Sequence, residues 1–171
     1  VERLRAEGSR SPADLVMTVD IAHLQQVVDA DVLQPVDSAV LKAAVPAALR
    51  SPDDLWFALT SRARVVYAHK ERVAEGEVTT YEDLASETWK GRICTRPGVH
   101  DYNLALLAAV IAHHGEDAAR DWAAGIKANL ARKPEGNDRA QVRAVWAGEC
   151  DIALANTYYM GAMLADPDQK A

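Results

Sequence analysis

The chain has 171 residues, of which 49% are hydrophobic and 26% are charged, as is ordinary for a globular protein. Its length suits one domain with part of a second, and no apolar stretch reaches the length of a membrane span. The net charge is −6 and no lysine- or arginine-rich run occurs, which argues against a nucleic-acid partner.

Strand-like apolar runs alternate with amphipathic helical segments along the chain, which predicts an α/β fold. In the amino-terminal third, the pattern predicts a strand over residues 15–19, a helix over 21–28 and a weaker helical segment over 35–49. A turn-forming cluster at 50–54 then leads into β-rich sequence over 55–68.

Helices dominate the prediction for the rest of the chain. Thr79 and Glu82 have the spacing of a capping box, so a helix is expected from there to about Trp89. Further helices are predicted over residues 102–114 and 116–131, from Asn137 or Asp138 to Ala147, and from Tyr158 onward.

The most informative segment is the apolar run 151–155 with the residues that follow it. The run predicts a short buried strand, and Asn156 and Thr157 form a helix-start signal. Tyr158 and Tyr159 therefore leave the carboxyl end of a strand, the edge at which open α/β sheets bind ligands. A phenol does not ionise alone at neutral pH, but a bound cation can displace its proton. The alternative is that both tyrosines are packing residues.

The two cysteines, Cys94 and Cys150, lie on short strand-like runs that lead to the same region of the chain. Because the two runs both lead to the proposed site and an extracytoplasmic compartment allows a disulfide, we predict that the two thiols form one. The alternative is a pair of free, buried thiols, because the spacing of two cysteines does not prove a bridge.

Several motifs occur in an order that resembles a known family. They are the segment 89–97 with Arg96 before Pro97, the pair Tyr102 and Asn103, the segment 133–139, and Asn156 to Gly161 with its two tyrosines. Together they resemble the periplasmic ferric-ion-binding proteins, the substrate-capture subunits of iron ABC importers. The resemblance begins at about residues 11–20 and covers nearly the whole chain, and the double tyrosine after an asparagine is its most specific motif.

The resemblance implies the type II fold of periplasmic binding proteins, in which a lobe is a mixed sheet flanked by helices. Residues 1–54 are expected to be part of the first lobe, and residues 55–171 a nearly complete second lobe with the crossing strands. Compared with the family, the chain lacks an opening and a closing segment, so we interpret it as an internal fragment without its signal peptide. The implied location is the periplasm of a Gram-negative cell or another extracytoplasmic compartment.

The resemblance also implies a ferric-ion site. In one subgroup of the family, residues at the positions of Tyr102, Tyr158 and Tyr159 all bind iron, and Fe(3+) prefers hard anionic oxygen donors such as phenolates. Another subgroup uses only the adjacent pair, together with a histidine and a carboxylate from the first lobe. Residues 99–101 are bulkier than the small residues with which a phosphate-binding subgroup cradles its anion, and this favours the Tyr102 subgroup.

A synergistic anion such as carbonate is implied next to the metal. Arg96 is the expected partner, because a guanidinium group matches a carboxylate-like anion, and Asn137 and Asn156 match family positions that contact the anion. The alternatives are a surface ion pair for Arg96 and helix caps for the two asparagines.

These implications predict a binding protein that captures ferric ion between two lobes and delivers it to the membrane permease of an ABC importer. We expect it to be a monomer and not an enzyme. As an alternative, the same fold binds another small ligand, such as a polyamine, a thiamine-like compound or an oxyanion, although clustered phenols argue against this. A third hypothesis, an enzyme with a tyrosine general acid, needs a base of suitable pKa, and none is evident in the sequence.

Overall fold

A computed structural model describes residues 1–168 of the chain. The chain divides into two compact units, the first spanning Val1–Ser61 and the second beginning at Arg62. The expected division into a partial first lobe at 1–54 and a second lobe at 55–171 stays a prediction, because a compact unit of this chain is not by itself a lobe of a larger protein.

The first unit contains three short helices and two single 3₁₀ turns among its described elements. Polar side chains cap two of the helices, since Asp20 Oδ1 accepts from the His23 backbone nitrogen at 2.9 Å and Ser38 Oγ accepts from that of Leu41 at 3.3 Å. The predicted helix at 21–28 is confirmed, and the weaker segment at 35–49 holds one helix and one turn. The helices are α1 (Glu2–Glu7), α2 (Ile21–Asp29) and α3 (Ala39–Ala44), and the turns are Gly8–Arg10 and Ala47–Leu49.

The strand predicted over residues 15–19 is wrong. This segment is irregular and exposed, with Leu15 at 88% and Met17 at 81% of full exposure. Residues 55–60 likewise form no strand, and their region contributes one isolated bridge between Arg50 and Phe57. An apolar run becomes a strand only when a neighbouring strand supplies hydrogen-bond partners. The described part of this unit contains no strand that could pair with either segment.

The second unit is built on a three-stranded sheet with the order β1-β3-β2. The central strand β3 pairs antiparallel with β1, from Arg64 opposite Asn156 to Ala68 opposite Ile152. It pairs parallel with β2, where Cys94 lies opposite Ala153. The expected mixed sheet is therefore confirmed. The strands are β1 (Arg64–Ala68), β2 (Ile93–Cys94) and β3 (Ile152–Asn156), and every residue of β3 is buried.

Four helices flank this sheet. Three were predicted within a few residues of both ends, and the fourth within one residue of its start. Gly115 makes the turn between the helices predicted over residues 102–114 and 116–131. Its φ of 84° is a backbone conformation that favours glycine. None of the helices in the described residues is both long and apolar enough to cross a membrane. The four are α4 (Asp101–His114), α5 (Glu116–Ala128), α6 (Asp138–Trp146) and α7 (Thr157–Ala165).

The helix predicted from Thr79 to Trp89 is replaced by two 3₁₀ turns, Glu82–Ala85 and Glu87–Trp89. Asn129 explains the break, because its side-chain amide donates to the carbonyl oxygens of Leu84 at 2.9 Å and Ser86 at 2.6 Å. These are carbonyls that a continuous helix would use for its own backbone bonds. A contact from a distant helix thus overrides the local helix signal.

Candidate functional site

The sheet brings the starts of two helices to one edge. Strands β2 and β3 are parallel, so their carboxyl ends point the same way. Helix α7 follows β3 directly at Asn156, and α4 follows β2 after a short loop that ends at His100. The ring nitrogen Nδ1 of His100 accepts from the backbone nitrogen of Tyr102 at 3.2 Å and so caps α4.

Three tyrosines meet at this edge. Tyr102 lies in the first turn of α4, and Tyr158 and Tyr159 lie in the first turn of α7. The hydroxyl oxygens of Tyr102 and Tyr158 are 3.1 Å apart, although the two residues are 56 positions apart in sequence. The rings of Tyr158 and Tyr159 have centroids 4.5 Å apart, and Tyr158 is 44% exposed. The structure therefore places three phenol groups in one cluster that is open to solvent.

The three phenols perturb one another's acidity. The hydrogen bond with Tyr158, together with burial, raises the pKa of Tyr102 to about 12. Burial alone raises the pKa of Tyr158, but the hydrogen bonds that its oxygen receives from Tyr102 and Asn156 outweigh this and lower it. Burial and the neighbouring Tyr158 raise the pKa of Tyr159. Tyr158 is thus the phenol that loses its proton most readily of the three.

Three arginines surround the ring of Tyr102. The guanidinium carbons of Arg62, Arg64 and Arg96 lie 5.0, 5.9 and 5.1 Å from its ring centroid. These distances are within the range of cation–π attraction. No carboxylate forms a salt bridge with Arg62 in the part of the chain that the structure describes, and its side chain is exposed. The cluster therefore has a cationic background, which suits anionic oxygens.

A buried carboxylate lies behind the arginines. Asp138, the first residue of α6, is completely buried. Its oxygens accept from Arg64 Nη1 at 2.9 Å and from Arg96 Nη1 at 3.1 Å. The backbone nitrogen of Asn156 adds a third hydrogen bond at 2.9 Å. Because both arginines share one carboxylate, part of their positive charge is left for the side that faces Tyr102.

Two of the three predicted anion-binding residues lie at the tyrosine cluster. Arg96 is buried beside Tyr102, and its ion pair with Asp138 is internal rather than on the surface. Asn156 donates from Nδ2 to the Tyr158 hydroxyl at 3.4 Å and makes no cap bond to α7. Asn137 instead uses Oδ1 to accept from the Ala140 nitrogen at 3.1 Å, which caps α6.

Sequence reasoning missed four polar residues of this site, namely Arg62, Arg64, Asn103 and Asp138. Arg64 links Asn103 and Asp138, since its Nη2 donates to Asn103 Oδ1 at 2.8 Å while Nη1 donates to Asp138. Arg64 and Arg62 follow a turn-rich segment in which charge is ordinary, and Asp138 has the pattern of a helix start. Asn103 and Asp138 stood in motifs of the resemblance but were given no site role. No local signal marks Arg62 or Arg64 as a site residue.

Comparison with known proteins identifies the family of this chain. A profile of the family described as bacterial extracellular solute-binding protein matches residues 10–168. The chain belongs to that family. The family description names solute binding, which agrees with an open cluster of polar groups at a sheet edge.

Individual relatives and solved structures show which proteins the chain resembles. It is 47% identical to iron uptake protein A1 of Synechocystis sp. over 173 aligned positions, covering 100% of this chain and 48% of that protein. Apo ferric ion-binding protein A of Pasteurella haemolytica superposes with a TM-score of 0.91 and 46% identity, over 99% of this chain and 54% of that one. A Trichodesmium protein in complex with iron and citrate ligands superposes with a TM-score of 0.92 and 47% identity, over 97% of this chain and 52% of that one.

These superpositions confirm the expected type II periplasmic-binding-protein fold. They also show that the chain spans about half the length of the relatives it matches. The resemblance to ferric-ion-binding proteins, first seen in the motifs, is confirmed as well.

The predicted disulfide is confirmed. Cys94 and Cys150 are bonded, with α-carbons 5.9 Å apart, and both are buried. Cys94 ends β2, two residues before Arg96, and Cys150 precedes β3. The bond therefore ties together the two parallel strands whose carboxyl ends carry the tyrosine cluster.

A broad groove of about 1250 Å³ lies elsewhere on the second unit, along β1, α6 and α7. Its lining includes Tyr67, Arg143 and Met163, and it includes none of the three clustered tyrosines. We place the candidate site at the tyrosines, because three phenol groups converge there beside the carboxyl ends of two parallel strands.

Proposed function

We propose that this protein captures ferric ion, with the phenolate oxygens of Tyr102, Tyr158 and Tyr159 as ligands. The observation that carries the proposal is the 3.1 Å approach of the Tyr102 and Tyr158 hydroxyls, with the Tyr159 ring centroid 4.5 Å from that of Tyr158. Iron replaces the phenol protons, and three hard anionic oxygens are the donor set that a small trivalent cation prefers. The relatives named for ferric iron binding support the choice of metal.

The charge of the site supports an anion as a further ligand. Three phenolates neutralise Fe(3+), whereas the three arginines around Tyr102 outweigh the single carboxylate of Asp138. A carbonate or carboxylate ion bound to the metal would offset that excess. We propose Arg96 and Asn156 as its partners, with Arg62 as an exposed guanidinium beside the same ring. Asn137 keeps only its amide NH₂ group for such a contact, because its oxygen caps α6.

In the whole protein, we propose that the site lies in a cleft between two lobes and that the first lobe adds the remaining ligands. The protein would work outside the cytoplasm as a monomer and deliver iron to the permease of an ABC importer. The family description and the relatives' names support the location outside the cytoplasm and the role in iron uptake. It requires no catalytic step.

An oxyanion is the second candidate ligand, and the three arginines at Tyr102 are the observation that favours it. The same arginines disfavour a polyamine or a thiamine-like cation, because like charges repel at close range. An oxyanion alone would bind without a colour change, whereas phenolate bound to iron absorbs visible light by charge transfer.

The test is a titration of the native chain with ferric citrate, followed by visible absorbance. A saturable coloured complex with one iron per chain is the expected result. Absence of colour, with tight binding of carbonate or phosphate measured by calorimetry, would instead establish the oxyanion site.

A further inference from the structure

We propose that Asp138 is the positioning residue of the tyrosine cluster, an inference that rests on the proposed ferric site. Its carboxylate holds Arg64, Arg96 and the backbone of Asn156 in place, and these three groups set where the Tyr102 and Tyr158 hydroxyls meet. Asp138 itself touches none of the three tyrosines in any described hydrogen bond.

The burial of Asp138 requires an explanation. A carboxylate removed from water is strongly unfavourable unless its oxygens are fully hydrogen-bonded. Asp138 meets that need with two guanidinium donors and one backbone donor, all between 2.9 and 3.1 Å. Yet such buried ion pairs seldom stabilise a fold more than apolar side chains of the same size. Stability alone therefore does not account for it, and a positioning role does.

Asp138 is connected to Tyr158 by hydrogen bonds through Asn156. The carboxylate fixes the Asn156 backbone nitrogen, and Arg64 Nη1 donates to the Asn156 side-chain oxygen at 3.2 Å. With the oxygen so engaged, the amide nitrogen faces the Tyr158 hydroxyl at 3.4 Å. The orientation of the asparagine amide, and with it the donor to Tyr158, is thus set from Asp138.

Asp138 is connected to the first turn of α4, which carries Tyr102, by hydrogen bonds through Arg64 and Asn103. Arg64 bridges the carboxylate to the Asn103 side-chain oxygen at 2.8 Å, in the first turn of α4. The Asn103 amide nitrogen then donates to the Arg96 carbonyl oxygen at 3.0 Å. Helix α4 is therefore held against the same arginines that Asp138 holds, one residue from Tyr102.

A matched control exists on the other end of β3. Asp151 is also a largely buried carboxylate with two arginines, accepting from Arg72 Nη1 at 2.8 Å and Arg92 Nε at 2.6 Å. It has no described contact with the tyrosine cluster. Asp151→Asn and Asp138→Asn thus remove the same charge from the same kind of pair, and only the second change affects the tyrosine site.

The experiment titrates native chain, Asp138→Asn and Asp151→Asn with ferric ion in competition with citrate. We expect Asp138→Asn to lower ferric affinity about 10–100-fold, as loss of an outer-shell partner does, and to shift the charge-transfer band. Asp151→Asn should keep the native affinity and band. Equal effects of the two variants, or a native complex in Asp138→Asn, would overturn the proposal.

A second measurement needs no iron. In metal-free chain labelled with ¹³C-tyrosine, Asp138→Asn should move the ring signals of Tyr102 and Tyr158, and Asp151→Asn should not. If the native chain forms no ferric complex, the proposed function fails, while these signals still decide the positioning role. Unmoved signals in Asp138→Asn reject that role.

A third variant covers the case in which Asp138→Asn does not fold. Arg64→Lys keeps the charge, but an ammonium group cannot bridge Asp138 and Asn103 as a guanidinium fork does. It should therefore shift the same signals and weaken ferric binding. Native behaviour in Arg64→Lys would mean that charge alone matters and would refute positioning by this network.

Discussion

Replacing Tyr158 by phenylalanine removes one oxygen and leaves the ring that packs beside Tyr159. The lost hydroxyl is hydrogen-bonded with that of Tyr102 at 3.1 Å and accepts from Asn156 Nδ2 at 3.4 Å. Both are neutral, and the residue is 44% exposed. We therefore expect the free energy of unfolding to fall by no more than about 1 kcal/mol. For a chain of this length that is a drop of roughly 2–4 °C in Tm.

The effect on iron should be far larger. Phenylalanine cannot supply an anionic donor, and Tyr158 is the phenol that ionises most readily in the cluster. Even outer-shell changes weaken metal binding about 10–100-fold, so loss of a direct ligand should exceed about 100-fold. A hundredfold loss corresponds to about 2.7 kcal/mol of binding free energy. A large loss of ferric affinity with only a small loss of folding stability is the result expected for a metal ligand. A packing residue would show the reverse.

The assay pairs a ferric citrate titration, read by visible absorbance, with thermal unfolding read by circular dichroism. Tyr81→Phe is the control, because its hydroxyl bonds to the Arg64 carbonyl oxygen and not to the cluster. It should keep the coloured complex. A coloured complex of native affinity in Tyr158→Phe would refute the donor assignment.

The same variant should also change the pKa of Tyr102 in the metal-free chain. The hydrogen bond with Tyr158 is the first cause that raises the pKa of Tyr102 to about 12. In Tyr158→Phe that cause is gone, so the pKa of Tyr102 should fall towards that of an ordinary tyrosine. A spectrophotometric pH titration of phenolate absorbance measures it, and an unchanged value would contradict the observed geometry.

Three further outcomes are expected. Arg62→Gln should weaken ferric binding by an amount that shrinks as carbonate is raised, and a deficit independent of carbonate would count against an anion role. Reducing the bond between Cys94 and Cys150, 56 positions apart, should lower the free energy of unfolding by up to about 4 kcal/mol, seen as an earlier thermal transition with reductant. Because three phenol protons leave on binding, acidification should lower ferric affinity by up to about a thousandfold per pH unit, and a competition titration at two pH values checks it.

Local signals in the sequence sufficed for the elements that hold the site. The apolar run before Asn156 predicted a buried strand, and the polar pair after it predicted a helix start. Both statements depend on neighbours along the chain, and the structure has β3 followed directly by α7. The disulfide was predictable for a related reason, since each cysteine lay on a strand-like run leading to the same edge.

Local signals failed where a distant partner decided the outcome. Residues 15–19 had the apolar character of a strand but find no partner strand in the described chain. The capping-box segment at 79–89 had a helix signal, yet Asn129 took two of its carbonyl oxygens and left 3₁₀ turns. Propensity is a weak preference per residue, and a few tertiary hydrogen bonds outweigh it.

Residue types and their order were therefore enough to predict an α/β fold and two tyrosines at a strand end, and the resemblance to a known family implied the mixed sheet with flanking helices. Only the tertiary structure decided that the hydroxyl of Tyr102 meets that of Tyr158, and that Asp138 pairs with Arg64 and Arg96. These partners lie 56, 74 and 42 positions apart in sequence. Their meeting depends on the strand order β1-β3-β2, which is set by burial and backbone pairing across the whole unit and by no local pattern.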